Sequence, residues 1–353
     1  MLQSEEKTLV SLRNLSLAGF EPSVTINMDA LSVYAEELKK GKKEFLHWRF
    51  PCVHPEDNPA FAAGALVSTA VNFHFPITDN PKEKFTVLNS AGKDFAGSIA
   101  MEHCFWRVLG ETRVTARELW PFFRTLQNTR EFFKGANQIP LLEHRHWIMQ
   151  EVLTVLDERF FGDPMCVYEE ARWDAEQLVQ LLASAFPQAF GEDISRFMLE
   201  IPDGGEWHDD PSHFPLEFPF YKKAKLVCVL YQGRALDSAQ TGGVLRPLSG
   251  MHHITAVEDY QVPRALQHKG VLVYSEKLLE KIKNHEIIRR HGIDELCIRG
   301  KTLEANKGIF DVLNKGLEPD DLRYWSINEL DGAEWFGSRR CPLPHQITPG
   351  TAY

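Results

Sequence analysis

Two short segments concentrate side chains that can do chemistry. The first, Pro219-Phe220-Tyr221-Lys222-Lys223-Ala224-Lys225-Leu226-Val227-Cys228-Val229-Leu230, sends three lysines into a strongly apolar stretch. Lys222 and Lys223 fall at a predicted helix start, where unpaired N–H groups and the helix dipole favour an anion such as phosphate. Lysines that simply face solvent are the plainer reading of the same spacing. The second segment, Ile254 to Pro263, sets Glu258 and Asp259 side by side ahead of a helix with Pro263 in its first turn. Asp259 can serve as a helix cap, worth about 1 kcal/mol. It can also face the cation that develops on a sugar as a glycosidic bond breaks, or activate water against it.

Other chemistries are missing from the sequence. It has no G-x-G-x-x-G, P-loop, H-E-x-x-H or G-x-S-x-G motif. His252 and His253 are adjacent, so their side chains diverge. His144 and His146, in Glu143-His144-Arg145-His146, do not share a helix face. Cys52, Cys104, Cys166, Cys228, Cys297 and Cys341 form no C-x-x-C pair and read as reduced, mostly buried thiols. No metal and no redox cofactor is expected.

The elements that must position these residues read as mostly helical. Val24–Lys40 is predicted as a helix capped by Asn27, with Leu31, Tyr34 and Leu38 on one face. Pro51–Gly64 reads as a loop. Val67–Ile77 and Lys84–Leu88 read as strands, with a turn at Asn89–Gly92 leading to Asp94-Phe95. A small antiparallel sheet is therefore expected over residues 65–96. A helical core is expected over 98–336. It includes a helix opened by Pro140 and stopped at Gly162, and another over Glu169–Phe186 ended by Pro187. Gly191–Phe218 reads as irregular, Pro219–Tyr231 as a buried helix and Ser238–Gly250 as a glycine-rich loop. Further helices are predicted near Val262–Gln267, Ser275–Arg290, Lys301–Lys315 and Pro319–Leu330, before an irregular tail over Gly337–Tyr353. With no repeat and no linker, residues 1–353 are expected to form one mainly α domain.

Composition bounds the partners. The 353 residues carry a formal net charge of −10, so a basic face for polymeric DNA or RNA is not expected and a small anionic substrate fits better. No apolar run reaches the roughly 18 residues that span a bilayer. The N-terminal MLQSEEKTLV lacks the apolar stretch of a secretory signal, so a cytoplasmic monomer is expected.

Five motifs, in order, carry a resemblance to a known family. They are Asn72-Phe73-His74-Phe75; Pro140-Leu141-Leu142-Glu143-His144-Arg145-His146; Phe220-Tyr221-Lys222-Lys223-Ala224; Ile254-Thr255 with Asp259-Tyr260, Pro263 and Leu266; and Ile298-Arg299-Gly300. Over roughly residues 25–345 the chain resembles the queuosine salvage proteins. The resemblance implies release of queuine from queuosine 5′-phosphate, on a fold like that of helix-hairpin-helix DNA glycosylases without their duplex-binding surface. It implies Asp259 as the catalytic carboxylate and Lys222 on the phosphate and ribose side, with Lys223 also near the phosphate and Tyr221 among the substrate-binding residues. Asn72 and Phe73 would line the base pocket, Phe73 by stacking, and Tyr260 would close the ribose site. Rival readings are a glycosylase acting on a nucleic-acid base and a nucleotide-binding protein without turnover. The sequence departs from the family pattern at Gln261, at Tyr324-Trp325-Ser326, and at Pro342-Leu343-Pro344-His345-Gln346, and its loop at Ser238–Gly250 is longer.

Overall fold

The computed structural model describes residues 1–17, 20–41, 49, 58–76, 80, 83–88, 92, 94–109, 114–198 and 215–352. Helix α1 (Gln3–Leu17) and strand β1 (Val24–Ile26) come first, then α2 (Met28–Lys40). Asn27 caps α2 as predicted, its side-chain oxygen accepting the N–H groups of Asp29 and Ala30. The residues just before it are not helical, because β1 is recruited by a distant partner, Val24 lying opposite Tyr274.

Helix α3 (Pro59–Ala70) corrects two expectations. Pro59–Gly64 is helix rather than loop, and residues 51–57 of that predicted loop lie outside the described residues. The strand predicted from Val67 is also overturned: Val67–Ala70 form the last turn of α3. Ala60 through Ala70 are all buried, so the helix shows no polar face and no amphipathic period to read. The predicted hairpin does form nearby, as β2 (Thr86–Leu88) against β3 (Asp94–Ala96) with Val87 opposite Phe95.

Helices α4 (Ser98–Leu109), α5 (Ala116–Phe123), α6 (Leu126–Phe132) and α7 (Leu142–Arg159) follow. Pro140 stands just ahead of α7, and Gly162 closes it in the left-handed conformation, its N–H donating to Leu156 O. The single helix predicted over Glu169–Phe186 is two, α8 (Met165–Glu170) and α9 (Ala175–Ala185), because Arg172 and Trp173 turn left-handed between them. Within the region predicted to be irregular, β4 (Ile194–Met198) pairs with β5 (Pro215–Pro219). Helix α10 (Lys222–Thr241) runs on into the predicted loop at Ser238, since its later polar residues Gln232, Arg234 and Ser238 are buried rather than terminal. The chain ends with α11 (Val262–His268), β6 (Leu272–Tyr274), α12 (Glu276–Lys283), α13 (Ile293–Leu313) and α14 (Ile327–Arg339). Helix α14 replaces the helix predicted over Pro319–Leu330, so the predicted tail begins inside a helix.

The fold is mainly α, with three two-stranded antiparallel sheets among the described residues. One apolar cluster runs from Leu2 to Leu330, with α10 packed on α3, α9 and α14. Buried charges are paired within it. Lys225 Nζ meets both Glu258 carboxylate oxygens at 2.6 and 2.7 Å and Glu5 at 3.3 Å. Arg299 grips Asp193 with two bonds of 2.6 and 2.7 Å. Burial pushes the Asp193 carboxyl up, but Arg299 outweighs it and holds the group below its ordinary range. Arg299→Leu leaves Asp193 buried without its counter-charge. It is expected to cost about 3–5 kcal/mol of stability in denaturant titrations. A loss of only the roughly 0–1 kcal/mol typical of surface pairs would show that Asp193 is solvated after all.

Candidate active site

One cavity lies between α3 and α4 on one side and α10, α14 and the segment Val257–Arg264 on the other. Asp259 lines it, and the N-cap position of α11 that the sequence offered to Asp259 is taken by Gln261. Asp259 Oδ1 accepts the N–H groups of Gln261 at 2.6 Å and Val262 at 2.8 Å, so it still holds the N–H groups that open α11. Its Oδ2 has no hydrogen-bond partner among the described residues and is left to the cavity. Burial raises the Asp259 carboxyl above its ordinary range, opposed first by the ammonium of Lys222 and then by the two N–H groups.

Lys222 also lines this cavity and is only 5% exposed, so it is not a solvent lysine. The left-handed Tyr221 (φ 48°) turns the chain into α10, and the Lys222 N–H donates to Asp193 Oδ2 at 2.8 Å. Burial lowers the Lys222 ammonium, with Asp259 as the main opposing charge. Asn72, Phe73 and Tyr260 line the same cavity. Phe73 is 1% exposed, and its ring carries the Arg145 guanidinium at 4.2 Å and Lys223 Nζ at 4.9 Å. Tyr260 packs on His345, ring centres 4.8 Å apart.

Two of the sequence-predicted residues lie elsewhere. Lys223 is buried outside the cavity, its Nζ donating to Ala70 O at 3.0 Å. Tyr221 borders a surface groove beside Lys7 and Glu217. The departures from the family pattern take structural roles. Gln261 Oε1 accepts from Ser338 Oγ at 2.9 Å, tying α11 to α14, and Ser326 caps α14 through a capping box with Glu329.

The structure also brings in residues that sequence reasoning missed. Asp331, Trp335 and Arg339 share one face of α14 at i, i+4 and i+8, and all three line the cavity. That spacing is visible in the sequence, but the predicted helix stopped at Leu330. Burial and then the neighbouring Asp259 carboxylate raise Asp331 to about 8. Lys84 and Arg264 line the cavity with Arg339. Burial, then Arg264 and Arg339, depress the Lys84 ammonium, so the three cations share one neighbourhood. None has a carboxylate partner among the described residues. Arg264 spends its bonds on the carbonyls of Leu343 (2.5 Å) and Cys341. Glu102, Trp106 and Phe61 also line the cavity.

This cavity holds a carboxylate pair with a lysine, an uncompensated cationic group and aromatic walls, assembled around motifs spread over most of the chain. The family model described as queuosine salvage protein matches residues 53–198 and 206–335. The chain belongs to this family. A relative from Sphaerobacter thermophilus, named queuosine 5′-phosphate N-glycosylase/hydrolase, is 27% identical over 281 residues, covering 80% of this chain and 78% of its own. Relatives with the same name from Nematostella vectensis and Mus musculus are 23% and 27% identical, covering 88% and 58% of this chain and 82% and 55% of theirs. No described helix is long and apolar enough to cross a membrane.

Asp331 gives this site a pH signature. Its pKa is about 8 in the folded chain, against about 3.9 unfolded. Between these values the folded state holds a proton that the unfolded chain has released. Stability therefore falls as pH rises through the window and levels off above about 8. Asp331→Asn removes that slope. Its thermal midpoint, relative to wild type, is expected to rise steadily from about pH 4 to about pH 8. A difference that stays constant with pH would show that Asp331 titrates as an ordinary carboxylate.

Proposed function

We propose that this chain hydrolyses the N-glycosidic bond of queuosine 5′-phosphate, giving queuine and ribose 5-phosphate. The observation that carries the reading is Asp259, with one oxygen fixed by two backbone N–H groups and the other open to a cavity beside Lys222. A carboxylate held in that way stabilises the ribosyl cation and orients water at the anomeric carbon. The names of the relatives support the substrate.

The remaining roles follow from charge. Lys84, Arg264 and Arg339 take the 5′-phosphate, in place of the Lys223 that the sequence suggested. Lys222 stays with Asp259 and sets its charge. The base lies towards Asn72 and the aromatic end. A 7-deazapurine lacks N7, so leaving-group protonation needs another donor and acceptor. Asp331 is protonated at neutral pH and gives its proton to the departing base nitrogen as the bond to the ribose breaks. Water adds to the ribosyl carbon and Asp259 takes its proton; Asp259 then releases that proton to solvent, and Asp331 regains one from solvent. No cofactor is required. The helices keep a helix-hairpin-helix glycosylase-like layout within one domain spanning 1–353, acting as a cytoplasmic monomer. The continuous apolar cluster and the net charge of −10 support that part of the reading.

The test is single-turnover incubation with queuosine 5′-phosphate, with mass detection of queuine. Wild type releases queuine and Asp259→Ala does not. Release by both would remove Asp259 from the mechanism. Binding without release by either would move the chain to the nucleotide-binding reading. Asp331→Asn is expected to lower kcat by about 10²–10⁴-fold and to abolish the alkaline limb of the rate profile. Lys84→Met or Arg264→Met is expected to raise KM for the 5′-phosphate by about 10-fold or more, with little change for the unphosphorylated nucleoside. Equal losses on both substrates would place the phosphate elsewhere.

A further inference from the structure

The mechanism leaves one half-buried carboxyl of the cavity without a task. Glu102, on α4, lines the cavity, and none of the three cations is among the groups that act on its carboxyl. Its Oε1 accepts the Ser68 hydroxyl from α3 at 2.8 Å. Its other oxygen has no hydrogen-bond partner, and the group has no cationic partner, among the described residues. A carboxyl kept in an apolar site without a counter-charge is costly unless a ligand satisfies it.

The walls around it say what that ligand looks like. Phe61 and Leu226 line the same cavity, and Trp106 stands one helical turn from Glu102 on α4. Trp106 lies so close to α3 that a Cβ at Gly64 would sit 2.2 Å from its ring, so only glycine lets the indole lie there. Aromatic and apolar walls with one carboxyl suit a flat heterocycle whose edge carries N–H donors. Burial pushes the Glu102 carboxyl up to about 7, opposed by the Ser68 hydrogen bond, which leaves it able to ionise when donors arrive.

We infer that Glu102, oriented by Ser68, is the specificity-determining residue for the base, accepting the ring N–H and the exocyclic amino group of a 2-amino-4-oxopyrimidine edge. A carboxylate presents two acceptor oxygens, and this edge presents two donors side by side. A base without the amino group leaves one of those acceptors unpaired, which sites of this kind penalise heavily. The inference rests on the proposed reading for the identity of the substrate, but its test needs no turnover.

Calorimetric binding of the free bases 7-deazaguanine and 7-deazahypoxanthine decides it. Wild type is expected to bind the amino-bearing base at least about 10-fold more tightly. Glu102→Gln is expected to bind 7-deazahypoxanthine nearly as wild type does, which shows that its pocket is intact, and to lose the preference for 7-deazaguanine. If Glu102→Gln binds neither base, Ser68→Ala decides: a reduced preference supports the inference and an unchanged one overturns it. Wild type without a preference, or Glu102→Gln that keeps it, also overturns it. Hydrolysis of queuosine 5′-phosphate is scored separately. Discrimination without turnover would sink the hydrolase reading and leave Glu102 as the base reader. Turnover without discrimination would do the reverse.

Discussion

Lys225 carries its ammonium to a place that is wholly shut off from water, and Glu258 and Glu5 make that possible. The site depends on this arrangement. Glu258 is the residue before Asp259, so the ion pair fixes the backbone from which the Asp259 carboxylate projects. The second buried pair does the same for the other half. Arg299 holds Asp193, Asp193 holds the Lys222 N–H, and Arg299 Nε reaches back to the Glu258 carbonyl at 3.2 Å. Two networks thus meet at one peptide unit between α10 and α11. Buried ion pairs of this kind add little net stability over apolar packing, because desolvation cancels most of the Coulomb energy. What they impose here is position: each partner that moved would leave a charge unsatisfied in the core.

The cavity itself is polarised. The carboxyls of Asp259 and Asp331 neighbour one another beside Lys222, and the cations Lys84, Arg264 and Arg339 gather where they repel one another instead of pairing. A net charge of −10 for the whole chain coexists with that positive end because field is set by neighbours within a few ångströms. The same proximity separates the two aspartates. Burial raises both, but at Asp259 it is opposed by a lysine and two backbone N–H donors, while at Asp331 a neighbouring carboxylate adds to it. Two chemically identical groups are thereby held in different electrostatic settings.

Much of this was legible in the sequence. The Asn27 cap, the hairpin at Thr86–Ala96 and the proximity of Asp259 to a helix start all follow from local rules. The cavity gathers Asp259, Lys222, Asn72, Phe73 and Tyr260, which the motifs had picked out. Helix α3 was missed because a helix buried on every side loses its period. Lys223 was drawn into the site because its neighbour belongs there, yet successive residues of a helix point about 100° apart. Asp331 and Arg339 were missed through a boundary: a helix placed a few residues too early conceals the face they share. Lys84, Arg264 and Glu102 carry no local signal, since only tertiary packing brings three distant segments to one cavity.

Glu5 accepts the Thr255 N–H and hydroxyl across 250 residues of chain. Helix α1 also lies ahead of the residues that the family model covers. For a chain made from its N-terminus, this sets an order of events. Helix α1 leaves the ribosome before its partner segment and must wait, with an unpaired acidic side chain, until the residues around Thr255 have been synthesised. Contacts of such separation form late, after the loop between them has closed. The growing polypeptide therefore holds an unfinished pocket through most of its synthesis, and the Asp259 carboxylate acquires its fixed orientation as one of the last steps of maturation.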